Sequence, residues 1–102
     1  MFVYFMKSGK KGPVKIGKSG NPEKRMKFLQ TGNPCKLELI RIIPCKDEKS
    51  AYSLEGRFHR LMKKRRLHGE WYHPSFSIKK LMETKLIKDS GLIAVEDGFI
   101  AI

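Results

Sequence analysis

Turn-forming residues recur at short intervals through the first 44 positions, and they limit every segment between them to one short element. Lys7-Ser8-Gly9-Lys10-Lys11-Gly12-Pro13 is polar and rich in Gly and Pro, and Ser19-Gly20-Asn21-Pro22, Thr31-Gly32-Asn33-Pro34 and Pro44 follow. Before the first break lies Met1 to Met6, an unbroken apolar and aromatic run that reads as a central strand. Val14 to Lys18 alternates, with Val14 and Ile16 on one face and Lys15 and Gly17 on the other, so the two runs form an antiparallel hairpin. Asn21 is an N-cap and Pro22 suits the first helical position; that helix runs to about Gln30, where Gly32 and Pro34 end it. Leu37 to Ile43 is a third strand. Asp47 or Glu48 opens a second helix to roughly Lys64, and Gly69 to Tyr72 is a loop or short strand. Pro74-Ser75 starts a third helix to about Lys88, and Leu92 to Ile102 reads as a small hairpin around Asp97-Gly98. This order implies one small mixed α/β domain.

The charge is uneven. Of the net +12, residues 1–34 carry +7 and residues 57–74 carry +5, while the remaining two segments are neutral. Such a distribution makes a positive face on folding, and its commonest partner is a phosphate backbone. A membrane surface fits less well, because no Lys/Arg-rich helix has a continuous apolar opposite face. No run approaches the ~20 apolar residues of a membrane-spanning helix. The N-terminus lacks the pattern of a secretion signal, which points to an intracellular protein, not a secreted one. Cys35 and Cys45 are expected as free thiols, because an intracellular chain argues against a disulfide. A zinc site from Cys35, Cys45, His59 and His68 lacks the short-spaced ligand pairs such sites use.

Several polar residues stand where a core would not choose them. In the first helix Met26, Phe28 and Leu29 define the buried arc, and Arg25 projects between Phe28 and Leu29. Either its stem lies on the core with the head in water, or the guanidinium reaches a ligand. In the second helix Ala51, Leu54, Phe58, Leu61 and Met62 form one stripe. Glu55 lies about 20° beyond Met62 on the wheel and His59 about 40° further, with Tyr52 on the same edge. The opposite flank carries Arg57, Arg60, Lys63 and Lys64. One carboxylate and one imidazole therefore adjoin the buried edge of a basic helix; an i,i+4 pair between them is the plainer reading. Trp71 and Tyr72 either cap the core or offer rings to unstacked bases.

Together these residues resemble the GIY-YIG endonuclease superfamily. Val3-Tyr4-Phe5 stands where the first signature belongs, and Lys15-Ile16-Gly17 for the second. Lys18, the Asn21-Pro22-Glu23-Lys24-Arg25 helix start and Glu55 follow in order. Gly12 to Gly17, Leu29-Gln30-Thr31-Gly32-Asn33-Pro34, His59 and Gly69-Glu70-Trp71 are similar to a phage and viral branch labelled a DNA-binding domain, in which a Lys in the second motif is usual. The resemblance covers residues 1–74 and implies an α+β fold: a three-stranded antiparallel sheet flanked by helices, with a basic concave face. Residues 75–102 would be a C-terminal helix and hairpin packed on the same domain, covering a sheet edge, forming a homodimer through Leu92–Ile102, or completing the core.

By position, the resemblance implies Glu55 as ligand of one Mg²⁺ (or Mn²⁺), Tyr4 as base or its relay, and Arg25 as phosphate clamp. Lys18 matches a Lys used in some members, and His59 a His placed near the leaving group or a phosphate. A Tyr with an ordinary pKa near 10 is a poor base, so Lys15 and Lys18 are the candidates to depress it. Lys15, Lys18, Arg25, Arg57, Arg60, Lys63, Lys64, Arg65, Arg66 and Trp71 would contact DNA. The expectation is a metal-dependent DNA endonuclease, viral or mobile-element in character, acting in a host cytoplasm or nucleus. A DNA-binding module on the same scaffold that does not cut is the alternative, and a basic RNA-binding protein a third.

Overall fold

The structure, a computed structural model, describes residues 1–75 and 100–101. The third helix expected from Pro74-Ser75 to Lys88 lies outside the described residues. So does all of the C-terminal hairpin except Ile100–Ala101.

The first apolar run becomes the centre of the sheet. β1 (Phe2–Ser8) is flanked by β2 (Val14–Ser19) and β3 (Leu37–Pro44), both antiparallel to it. These three strands are the expected sheet, and three short ones extend it. β4 (Arg66–His68) and β5 (Trp71–Tyr72) add to the β2 edge, and β6 (Ile100–Ala101) pairs with β3, giving the order β4-β5-β2-β1-β3-β6. Of the roles left open for the C-terminal stretch, these two residues take the covering of a sheet edge.

Strand alternation divides the core in two. Val3 and Phe5 of β1, with Val14, Ile16 and Ile43, pack against Ala51, Leu54, Phe58 and Met62 of α2 (Glu48–Leu61). Phe58 meets Phe5 edge-to-face at 5.2 Å. Tyr4 and Met6 point the other way, toward Met26 and Leu29 of α1 (Pro22–Gln30). In β3 a register shift opposite Phe5/Met6 leaves Ile40 without a partner in the ladder. That bulge lets Leu37, Leu39 and Ile42 face the α1 side together, although strict alternation would separate Ile42 from the other two.

The caps form as their residue types dictate. The Asn21 side chain accepts from the Lys24 amide and Asp47 from that of Ser50, opening the two helices. Two helix faces correct the expectation. Phe28 is 69% exposed and stands under the Arg25 guanidinium, because the apolar side chains that nine-residue α1 packs against the β1–β3 cluster are Met26 and Leu29. Leu61 is 49% exposed: α2 ends there, and Met62 closes the buried stripe instead. Both cysteines are free, Cys45 buried and Cys35 exposed. Among the described residues no helix is long and apolar enough to cross a membrane.

Candidate functional site

The site forms where the buried edge of α2 meets the turn between β4 and β5. Glu55 and His59, one helical turn apart, face that turn, and Gly69 holds it with a left-handed φ of 56°. That conformation favours glycine, and it places Glu70 at the strand end, where the Glu70 carbonyl accepts from the Ile16 amide. Glu55, His59 and Glu70 each offer one ligand atom, and these atoms all lie within 4.8 Å of one another.

His59 is held from behind. Its Nδ1 is hydrogen-bonded to the Tyr72 hydroxyl, and the two rings stack with centroids 5.5 Å apart. Nε2 turns to Glu55 Oε1 at 3.5 Å and Glu70 Oε2 at 3.6 Å. These contacts are ion-pair separations without hydrogen-bond geometry, so Nε2 is buried and has no hydrogen-bond partner. The facing carboxylates, Glu55 first and Glu70 next, still hold the imidazole pKa up to about 9 against its burial. His59, with Lys15 adding to it, holds the Glu70 carboxyl down at about 2.

Lys15 keeps the face that alternation gives it, and it is buried there. It is 8% exposed, and its ammonium donates to Glu70 Oε1 at 2.7 Å while lying 5.8 Å from the Trp71 ring centroid. Lys18 leans toward the first turn of α2, 3.6 Å from Glu48 and beside Tyr52. Neither lysine therefore serves Tyr4. The cation beside the Tyr4 phenol is Arg25, and it does not prevail: burial raises the phenol pKa, Arg25 opposes this, and Glu70 and Glu55 add to it. The expected depression by Lys15 and Lys18 is corrected to a raised pKa, because strand alternation turns Lys18 to the α2 side and Glu70 occupies Lys15.

Tyr4 also explains the glycine of the second motif. It stands opposite Gly17 in the β1–β2 register, and its ring crosses that residue. A Cβ on Gly17 would sit 2.5 Å from the phenol oxygen and 2.7 Å from Cζ.

The structure thus brings Glu55, His59 and Lys15 together, with Tyr4 and Arg25 adjoining; it leaves Lys18 apart. A cavity of about 550 Å³ opens on the cluster, lined by Glu55, His59, Glu70 and Tyr72 and, on its rim, by Arg60, Lys63 and Arg66. Lys64 and Arg65 are exposed in the 3-10 turn (Lys63–Arg65) beside it, and Arg57 is half-buried on α2. Trp71 packs on the α1 side of the sheet with Leu29, beside the exposed Phe28. Sequence reasoning missed two residues here. Glu70 carried a signal, as the single acid in the +5 segment 57–74. Tyr72 carried none, because its hydroxyl partner is thirteen residues away on another element.

Two carboxylates and an imidazole nitrogen around one point, with that nitrogen buried and unbonded, are a donor set suited to a small divalent cation. Comparison with known proteins gives a family model, the T5orf172 domain, matching residues 1–87, thirteen residues beyond the boundary expected at 74. Neither curated proteins nor solved structures give a match to the chain.

Proposed function

The chain belongs to the T5orf172 domain family, and on that footing we propose that it is a metal-dependent DNA endonuclease with a GIY-YIG-like site, hydrolysing phosphodiester bonds. The observation that carries this reading is an acidic centre inside a basic rim. Glu55, Glu70 and His59 line, half-buried, the same cavity that the exposed Arg60, Lys63 and Arg66 line. A surface evolved only to hold phosphate has no use for carboxylates at its centre, since they repel the ligand; a surface that holds a cation and a phosphate together needs both signs.

Glu55 is the carboxylate that would hold the divalent ion, Mg²⁺ or Mn²⁺. When bound, the ion supplies a Lewis acid for the phosphate oxygens. The protein's own groups do the rest. Arg60, Lys63 and Arg66, with the exposed Lys64 and Arg65 beside them, hold the DNA backbone and fix its position. Arg25 is the phosphate clamp, placed beside Tyr4. The Tyr4 phenol stays protonated near neutral pH, because burial raises its pKa. It acts as the relay, donating a hydrogen bond that orients water or phosphate, and the base role passes from it.

The test is nicking of supercoiled plasmid with Mg²⁺ or Mn²⁺ against EDTA, wild type beside Glu55→Ala. Metal-dependent cutting that the variant loses is the expected result. No cutting by either protein, with plasmid retarded equally in EDTA, replaces this reading with a DNA-binding module that does not cut.

A further inference from the structure

We propose that Glu70 and His59 complete, with Glu55, a three-residue site for a first-row transition ion, with Mn²⁺ favoured over Mg²⁺, and that Lys15 positions Glu70 in it. The proposal rests on the reading that Glu55 holds a divalent ion and goes beyond it in the ligands, the metal class and the role of Lys15.

The argument starts from the two oxygens of Glu70. Oε1 accepts from the Lys15 ammonium at 2.7 Å, and Oε2 faces His59 Nε2 at 3.6 Å. Lys15 thus fixes the carboxylate and leaves one oxygen turned to the centre. The imidazole is divided the same way. Tyr72 occupies Nδ1, so Nε2 is the ring atom left to meet an ion. A ligating histidine whose second nitrogen is hydrogen-bonded is the usual arrangement, because that bond sets ring orientation and raises basicity.

Distances support a shared centre. Nε2 lies 3.5 Å from Glu55 Oε1 and 3.6 Å from Glu70 Oε2. Both exceed good hydrogen bonds, and all three ligand atoms lie within 4.8 Å of one another, a spacing at which they can share one ion. The cavity of about 550 Å³ beside them leaves room for water and substrate to complete the coordination.

The donor set selects the metal. Mg²⁺ takes oxygen ligands and keeps several waters, so one or two carboxylates suffice for it and an imidazole contributes little. An imidazole nitrogen beside the carboxylates shifts the preference from Mg²⁺ to the first-row transition ions, and Mn²⁺, the weakest-bound of that series, sets the lower limit of the preference and serves as its paramagnetic probe.

Loss of the electron paramagnetic resonance signal of free Mn²⁺ on adding protein measures binding without any turnover. Wild type is expected to bind one Mn²⁺ that an about tenfold excess of Mg²⁺ does not displace, and Glu70→Gln and His59→Gln each weaken it at least about tenfold. Lys15→Met weakens it as well, and Lys15→Arg recovers it, which a purely structural lysine would not predict. In the wild-type protein, which needs no variant to fold, Mn²⁺ broadens the His59 ring resonances before those of His68 and His73. Mn²⁺ binding untouched by the Glu70 and His59 changes, equal displacement by Mg²⁺, or equal broadening of all three histidines overturns the proposal. Plasmid nicking in parallel separates the two readings. Tight Mn²⁺ binding without cutting removes the endonuclease and leaves the site. Cutting that needs Mg²⁺ and Glu55, with no Mn²⁺ preference, does the reverse.

Discussion

Adding one methyl group at Gly17 tests how the two signature strands fit together. The Cβ of Gly17→Ala would meet the Tyr4 phenol oxygen at 2.5 Å, Cζ at 2.7 Å and Cε2 at 3.1 Å. Ordinary carbon contacts are about 3.5–4.0 Å, so roughly 1 Å of overlap must be relieved. Little can yield: Tyr4 is 1% exposed, and β1 is paired on both sides. Relief by an off-rotamer ring or a shifted strand costs about 1–3 kcal/mol, and the closeness of two ring atoms places this case near the upper end. At about 4–8 °C per kcal/mol for a domain this small, the melting temperature falls by roughly 10 °C or more. Without the ring, the sign should reverse, since Ala in a strand is favoured over Gly by about 0.5–1 kcal/mol. Urea unfolding of wild type, Gly17→Ala, Tyr4→Val and the double variant gives the coupling directly, with about 2–3 kcal/mol expected. A neutral Gly17→Ala, or an equal cost in both backgrounds, refutes the claim that this glycine exists to clear the Tyr4 ring.

Three further outcomes follow from the same geometry. In metal-free protein the His59 pKa is raised from 6.5 to about 9, so its contribution to stability is complete below pH 6.5 and lost as pH rises through about 9. Glu70, lowered from 4.5 to about 2, contributes above pH 4.5 and is lost as pH falls through about 2; thermal melts in EDTA should show both limbs, and His59→Gln should flatten the alkaline one. Asn21→Ala removes the side chain that accepts from the Lys24 amide and should cost about 1 kcal/mol in chemical denaturation, with Asn21→Ser nearly neutral. Binding of duplex DNA in EDTA should weaken steeply with salt, and Lys63→Ala and Arg66→Ala should each reduce the logarithmic salt slope by about one; an unchanged slope removes those residues from the DNA-facing rim.

The features legible from residue order alone are local. Strand and helix starts follow from residues within a few positions of one another: Asn21 with Pro22, Asp47 with Ser50, and the alternation of Val14 and Ile16 against Lys15 and Gly17. The central place of β1 was legible because Met1 to Met6 has no polar face to give to water. Glu55 and His59 were legible as neighbours for the same reason, being one helical turn apart. What each face meets depends on how the elements pack together. Helical spacing put Phe28 and Leu61 among apolar residues, but α1 and α2 touch the sheet along narrower lines than their stripes, and both side chains stay in solvent. Lys15 was expected to serve Tyr4 and DNA, but the chain returns 55 residues later with Glu70, whose carboxylate occupies the ammonium and makes its burial tolerable. The candidate metal centre has the same origin: two ligands sit on one helix, and the third arrives on a turn that only the pairing of β5 with β2 brings beside them. Periodicity reports which way a side chain points within its own element, and the partner waiting there is set by chain closure over long separations.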